Sequence, residues 1–541
     1  MDNPHSVWGD QGPHPTQPRS LSVAGAARHS PASTVVRAVV EGNRRQVRGH
    51  RVLPGWAALR GRVLLFLTLV AAACGTRCGP ALAGPVAPQL ARVEDRDRFR
   101  VTTFASGLGY PTSMATLADG SLLVATSEGG PSWLDNYIFA SPRGALVRLV
   151  DADGDGVADG PPQTMVADLP GLVTSVRRVG DLVFALSSQG GREAVTVWRT
   201  GAAPTDAFTA AGKLSFSFPS GFQHSTYALA ARPASGGGVE LYFNVGAKQN
   251  STATSPSETV GIAAGSGATF AGGGSRSVAA DSIHRVVVTD DGTSLTVSNP
   301  VQIARGLRNA AGMVFDGAGN LWFEDNGIDT EGNAGVSFSA DELNRVGAEQ
   351  LGVTVPDFGF AGTYVRYADG ATVGPTAGIT LPLAAFTPIA GEKSEGAVEI
   401  AVAPEAFPAD FAGGFFVPFS GVFNQGGTAN DENPLVFVNP ATGVRFHFIA
   451  NQTMGHPNGV LASAAGLFLS DLNYTGRFGD PIGAGGVTLN GDGIDADHEG
   501  VIYLVTPVPE PATLGLLAGG AIAFVARLWW RGRGGKPGKA A

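Results

Sequence analysis

Two groups of residues could carry chemistry. The first is the run Asp151-Ala-Asp153-Gly-Asp155-Gly-Val-Ala-Asp159. Carboxylates at alternating positions, broken by glycine turns, supply hard oxygen ligands at the spacing that wraps one Ca²⁺ in EF-hand-type loops. Asp151, Asp153, Asp155 and Asp159 are therefore candidate calcium ligands, with a solvated Asp/Gly turn as the plain alternative. No helix pair flanks the run. It follows the strand-like segment Leu146–Val150, so an ion there would pin a loop. Asp492–Glu499 is a weaker version of the pattern. The second group is dispersed: Thr112, Thr174, His224, Arg308, Asn309, Lys393, Glu395, His456 and Asn458. Polar groups that converge on one cavity make a binding site. If they do not converge, they cap strand ends and bind channel water.

A repeated pattern supplies the place where they could meet. Short apolar strands follow glycine-bearing turns at Ser121–Thr126, Leu182–Leu186, Glu240–Val245, Asn320–Glu324, Phe415–Phe419 and Leu467–Asp471. β-rich runs separated by Gly/Asp turns signal hairpins. Third strands are expected at Ala145–Val150, Val195–Arg199, Ile283–Val288, Asp341–Val346, Pro434–Asn439 and Val501–Val505. Fourth strands are expected at Thr164–Ala167, Leu214–Phe218, Val301–Ala304, Leu381–Phe386 and Arg445–Ile449. The sixth unit lacks its fourth strand, and Arg100–Phe104 has the character to supply it. The expectation is an all-β, six-bladed propeller with four-stranded blades, closed by an N-terminal strand so that no sheet edge is left open. A β-helix is the structural alternative, disfavoured because the repeats are long, irregular and few. The surplus length should sit in loops, above all Lys248–Ala280 and Val353–Gly378. The link before each innermost strand would place the dispersed polar residues around the channel mouth. Loops after the second strands would add Asn250, Asp325, Asn326, Asp329 and Asp471 on the same face.

The termini have a different composition. The chain has 541 residues and a net charge of −9; residues 1–83 carry +7 and residues 508–541 carry +4, which leaves −20 for residues 84–507. An acidic body repels phosphate backbones, so no nucleic-acid partner is expected. It favours cations and solubility. Both cysteines, Cys74 and Cys78, precede the body, which excludes a disulfide scaffold within it. Arg60-Gly-Arg62, the apolar run Val63–Ala73 and Ala81-Leu82-Ala83 read as a signal peptide over 60–83. Residues 1–59 lack periodicity and read as a disordered extension or the product of a mis-assigned start. At the other end Pro509-Glu510-Pro511 precedes an apolar stretch to Trp530 and a basic cluster from Arg531. The stretch is near the lower length limit for a single transmembrane helix, and the basic end should stay cytoplasmic. This three-part tail, 508–541, resembles the PEP-CTERM sorting signal of Gram-negative bacteria. The resemblance implies recognition of Pro509, Glu510 and Pro511 by an exosortase, membrane contact during sorting, and display on the outer surface or in the matrix, where exopolysaccharide is a candidate partner.

Within the body, 84–507, Gly306-Leu-Arg-Asn-Ala-Ala-Gly-Met-Val-Phe-Asp-Gly-Ala-Gly-Asn-Leu-Trp-Phe-Glu-Asp-Asn-Gly327 and Asp341-Glu-Leu-Asn344 resemble the glucose/sorbosone dehydrogenase family. Gln223-His224 with Leu241-Tyr-Phe-Asn-Val-Gly246 is similar to its other recognisable stretch. The resemblance implies a six-bladed propeller that holds pyrroloquinoline quinone (PQQ) over its axis and oxidises an aldose hydroxyl. It implies His224 as the base and Arg308 and Asn309 as cofactor contacts; Asn326, His456 and Asn458 complete the ligand-binding ring, and Lys393 and Arg477 are the cations that could compensate where the family's further basic contacts are missing. The sequence departs from the family where later blades should offer cations: Phe416–Gln425 ends in Gln425, and Ser470-Asp-Leu-Asn-Tyr474 is acidic. No Gly-x-Ser-x-Gly, Walker loop or His-Glu-x-x-His occurs. Two functions follow as expectations: an exported propeller that binds a small molecule or carbohydrate at its central face, or a PQQ-dependent sugar dehydrogenase.

Overall fold

The computed structural model describes residues 87–128, 141–189, 192–330, 337–421, 430–472 and 500–509. The expected signal peptide, the N-terminal extension, Glu510, Pro511 and the expected transmembrane segment lie outside them, as does Asp492–Glu499. No helix among the described residues is long and apolar enough to cross a membrane.

The described chain folds into six antiparallel blades. Blade one is Tyr110–Thr116, Leu122–Ser127, Arg143–Leu149 and Gln163–Pro170. Blade two begins with Leu172–Val179, blade three with Leu229–Pro233, blade four with Gly312–Phe315 and blade five with Ala401–Val402. Blade six is Pro457–Ser463, Gly466–Asp471 and Gly500–Pro507, and its outer strand is Phe99–Leu108 from the N-terminal side. The expected closure therefore holds, with Phe99 opposite Pro507 and Thr103 opposite Tyr503.

The reason for the ring is visible in the second strands. Leu182–Ser188 is buried along its whole length. Side chains alternate across a strand, so Leu182, Phe184 and Leu186 pack against blade three while Val183 and Ala185 pack against blade one. A sheet with two apolar faces must be covered on both, and a closed ring provides that for every blade. Six apolar clusters fill the six junctions between neighbouring blades. At the seam between blades five and six, Phe99 lies within 5.2 Å of the rings of Phe407, Phe411 and Phe448. Full burial of each such ring contributes about 2–3 kcal/mol, so the closing strand is held by packing as well as by its ladder.

The surplus length differs from the expectation. Residues 248–280 are not simply a loop. Thr259–Gly265 and Arg276–Ala279 extend blade two to six strands, and Ala268–Phe270 pairs in parallel with Leu295–Val297 on blade three. Val260 and Ile262 on one side and Phe270 on the other belong to the same apolar cluster, which stitches the two blades at their outer rim. Residues 353–378 hold a two-residue hairpin, Tyr364–Val365 with Thr372–Val373.

Candidate functional site

In blades three, four and six the start of the innermost strand has backbone N–H groups that its own ladder does not use. A side chain at the end of the second strand takes them. In blade four Asp325 accepts from the N–H of Arg308 (3.0 Å) and of Asn309 (2.6 Å). In blade six Asp471 accepts from Gly455 and His456, both at 2.8 Å. In blade three Asn244 Oδ1 accepts from Tyr227 (2.8 Å) and Ala228 (2.9 Å). Asp341 joins the Gly327 and Ala397 N–H groups at 2.7 and 2.8 Å. Asp325 and Asp471, expected as ligand groups of the mouth, are instead backbone clamps.

The clamp in blade four fixes Arg308 and Asn309, and their side chains take different paths. The Arg308 guanidinium donates from Nε to the Asn250 carbonyl (3.0 Å) and from Nη2 to Asn250 Oδ1 (2.8 Å) and Asp329 (2.7 Å). Asn250 also donates to the Asp329 carbonyl (2.9 Å) and accepts from its N–H (3.0 Å). Arg308, 5% exposed, thus ties the loop after the second strand of blade three to that of blade four. Asn309 enters a ladder along the axis. Asn326 Nδ2 donates to the Ala397 carbonyl (2.6 Å) and to Glu324 (3.2 Å), so its Oδ1 points back to accept from Asn309 Nδ2 (2.9 Å). This chain of constraints leaves Asn309 Oδ1 buried with no partner, and Glu324 Oε1 is in the same state.

Below this ladder a bolt crosses the channel. Arg177 of blade two donates to both oxygens of Glu399 at 2.8 and 2.9 Å, to Ser113 of blade one (3.1 Å) and to the Met313 carbonyl of blade four (3.4 Å). Glu399 precedes the inner strand of blade five, so one ion pair joins four blades. A Cβ on Gly312 would lie 2.6 Å from Glu399 Cα, and this close approach requires glycine. Neither Arg177 nor Glu399 was expected at the site. The available signal was a lone acid inside the apolar run Ala397–Val402 and a basic pair inside the strand Leu172–Val179.

His224 lies beside Arg308, as expected. A Cβ on Gly246 would meet His224 Cβ at 2.6 Å and the Arg308 carbonyl at 3.0 Å, so only glycine lets the two segments adjoin. Its Nδ1 faces the Ala247 carbonyl at 3.2 Å. That contact puts the hydrogen on Nδ1 and the lone pair on Nε2. Burial and the Arg308 charge push its pKa well below the usual histidine value, so the ring is neutral. The other expected residues do not join this group. Lys393 is half exposed and paired with Glu432 at 3.0 Å. His456 is fully buried and turns Nδ1 to the Ser420 carbonyl (2.7 Å), which bridges blades five and six. Asn458 is half buried at the irregularity between Pro457 and Val460.

The carboxylates around the axis are the dominant electrostatic feature. Burial pushes Asp325 up to about 7, against the lowering effect of its two N–H bonds. Burial likewise raises Asp341 to about 6. Glu395 reaches about 7 through burial and the neighbouring Glu432 charge. Glu324 is raised well above its usual range by burial and by Asp341, Asp325 and Glu399. At the outer rim, Asp151, Asp153 and Asp159 each place one oxygen within 4.8 Å of the others. Asp155 does not join that cluster; it caps the Val157 N–H at 2.8 Å.

PQQ is a tricarboxylate and needs cations with free charge. Arg308, Lys393, Arg177 and Lys248, cations near the mouth among the described residues, are already paired with Asp329, Glu432, Glu399 and Glu258. Carboxylates outnumber them there. The described residues do not fit an acidic quinone; Gln425 and Arg477 lie outside them.

The class defined by these observations is a closed six-bladed propeller with an acid-rich central mouth. At its C-terminal end the chain carries the PEP-CTERM protein-sorting motif, matched over residues 507–531. Curated proteins give no match. Among solved structures the chain is similar to the PQQ domain of pyranose dehydrogenase from Coprinopsis cinerea, at 15% identity over 79% of this chain and 99% of that one, with a TM-score of 0.49. It is similar to the soluble aldose sugar dehydrogenase from Escherichia coli (12%, 76% and 100%, TM-score 0.46). It is also similar to the PQQ-bound aldose sugar dehydrogenase from Streptomyces coelicolor (16%, 77% and 100%, TM-score 0.41). At these values the likeness carries no argument about the site, which rests on the geometry above.

Proposed function

We propose that this is an exported propeller, processed by an exosortase and held at the surface of a Gram-negative bacterium, that binds a carbohydrate or other small polar molecule at its central face. The sorting motif supports the address. The observation that supports binding is Asn309, 1% exposed, with its carbonyl oxygen unpartnered, next in the chain to the fixed Arg308, which itself adjoins the neutral His224. A buried amide oxygen without a partner costs about 1–3 kcal/mol, and a hydroxyl donor would recover that cost. The amides and histidine suit an uncharged hydroxylated ligand better than an anion. Calcium at Asp151, Asp153 and Asp159 would pin the loop to the closing strand, where Ala158 donates to the Phe104 carbonyl at 2.8 Å.

Sugar oxidation is the second reading. It is favoured by His224, whose Nε2 lone pair is available to take a hydroxyl proton. The paired cations oppose the quinone that such oxidation would use. Calorimetric titration of the purified full-length chain with neutral oligosaccharides tests the first reading. Saturable binding that Asn309→Ala weakens at least fivefold is expected; no sugar binding would remove it. Absorbance titration with PQQ tests the second. Quinone binding, with dye reduction abolished by His224→Ala, would replace the first reading by the second.

A further inference from the structure

We infer that the central mouth selects a ligand that donates hydrogen bonds and carries positive charge, of the protonated amino-sugar class. This rests on the carbohydrate-binding reading and narrows it.

Three observations point the same way. The first is the direction of the ladder. The Ala397 carbonyl can only accept, which orients Asn326; Asn326 then orients Asn309, and the open end is an oxygen. An acceptor at that place asks for a donor. The second is the state of the cations. Arg308 is consumed by Asn250 and Asp329, Lys393 by Glu432 and Arg177 by Glu399, so an anionic ligand would find each of them taken. The third is two carboxylates that make no direct ion pair with a described cation, although Lys393 and Arg308 act on them at longer range. Glu395 accepts from the Ser337 N–H at 3.3 Å, and Asp341 accepts from two backbone N–H groups. Burial keeps Glu395 partly protonated at pH 7 and leaves Asp341, raised less, largely ionised, so an ammonium group arriving at the mouth would favour the charged form of Glu395 and gain a charge-assisted bond. Glu324, fully buried, adds an unpartnered oxygen beneath.

The experiment is a titration of the full-length chain at pH 7 and low salt with glucosamine, N-acetylglucosamine, glucose and gluconate. Acetylation removes the charge and leaves the ring and hydroxyls. Glucosamine is expected to bind at least tenfold more tightly than N-acetylglucosamine, with gluconate weakest. The preference should shrink about threefold or more between 0.05 and 0.5 M salt, because it is coulombic. Glu395→Gln, which keeps the shape of the side chain, should reduce the preference to below threefold; an unchanged melting temperature shows that the variant is folded. Equal binding of the amine and its acetylated form overturns the inference and leaves the carbohydrate reading standing. Tighter binding of gluconate overturns it outright. Binding of none of the four removes both.

Discussion

Two acidic regions of this molecule use the same side chain under opposite physics. On the outer rim, Asp151 accepts from the Gly154 and Gly156 N–H groups at 2.7 and 3.0 Å, and Asp159 accepts from Ala152 at 2.6 Å. These carboxylates are solvated and hold a turn that glycine at positive φ makes available (Gly154 76°, Gly156 87°). At the central face Asp325 and Asp471 also accept two N–H groups each, but they are buried, and Asp325 retains its proton up to about neutrality. Water stabilises charge on the first set; on the second, backbone N–H groups take its place, helped at Asp325 by the Arg308 charge. An acidic residue in the sequence is thus an ion ligand, a turn cap or a strand clamp according to where the chain carries it.

The largest effect should come from the clamps. Asp471→Ala and Asp325→Ala each strand two buried N–H groups, at about 1–3 kcal/mol per group. Both are expected to lower stability by about 2–5 kcal/mol in denaturant unfolding. Asparagine at either position keeps one acceptor and should cost less. A loss under 1 kcal/mol for both alanine variants would show that water replaces the carboxylates and that the two regions do not differ.

The rim loop should respond to metal and not to core substitutions. Chelation followed by thermal melting is expected to lower the midpoint by a few degrees, because an ion at 100-fold excess over its dissociation constant contributes about 2.7 kcal/mol. Asp153→Asn should remove that response. An unchanged midpoint on chelation would leave the loop as a self-capped turn.

The smallest effect is on pH. Asp325 and Asp341 have folded pKa values raised to about 7 and about 6 from an ordinary 3.8. Groups raised in this way give stability that is complete below their unfolded pKa and lost as pH rises through the folded values. Buried His224 and His284, lowered from 6.5, act the other way up to about pH 6.5, so the melting temperature should fall between about pH 6.5 and pH 8, and Asp325→Asn should flatten the slope. Asp290 and Asp410, lowered by their bonds to Arg199 and Arg98, act the other way and only below about pH 4. A midpoint that rises from about pH 6.5 to pH 8 would contradict the assignment of raised values to the mouth.

Much of the ring was legible in the residues. Glycine turns before short apolar runs marked each second strand, and the missing outer strand of the last unit pointed to Arg100–Phe104. The loop 248–280 was misread because its strands, such as Thr259–Gly265, are rich in glycine and alanine and gain strand character only by docking on blades two and three. The site was legible by residue type and not by role. His224 and Arg308 were expected together and are together. Arg308 was expected to reach a cofactor and instead ties two loops, because Asn250 and Asp329 come from distant segments that no local pattern links to it.

What the sequence determined by itself is the local alphabet: period-two apolar strands, turns at glycine, an acidic body between two basic ends, and a sorting motif. These depend on neighbours a few residues apart. Only the tertiary structure decided which charges remain free, since Arg177 meets Glu399 across 222 positions and Lys393 meets Glu432 across 39. Charge pairing depends on distance in space, and the closure of the ring sets that distance.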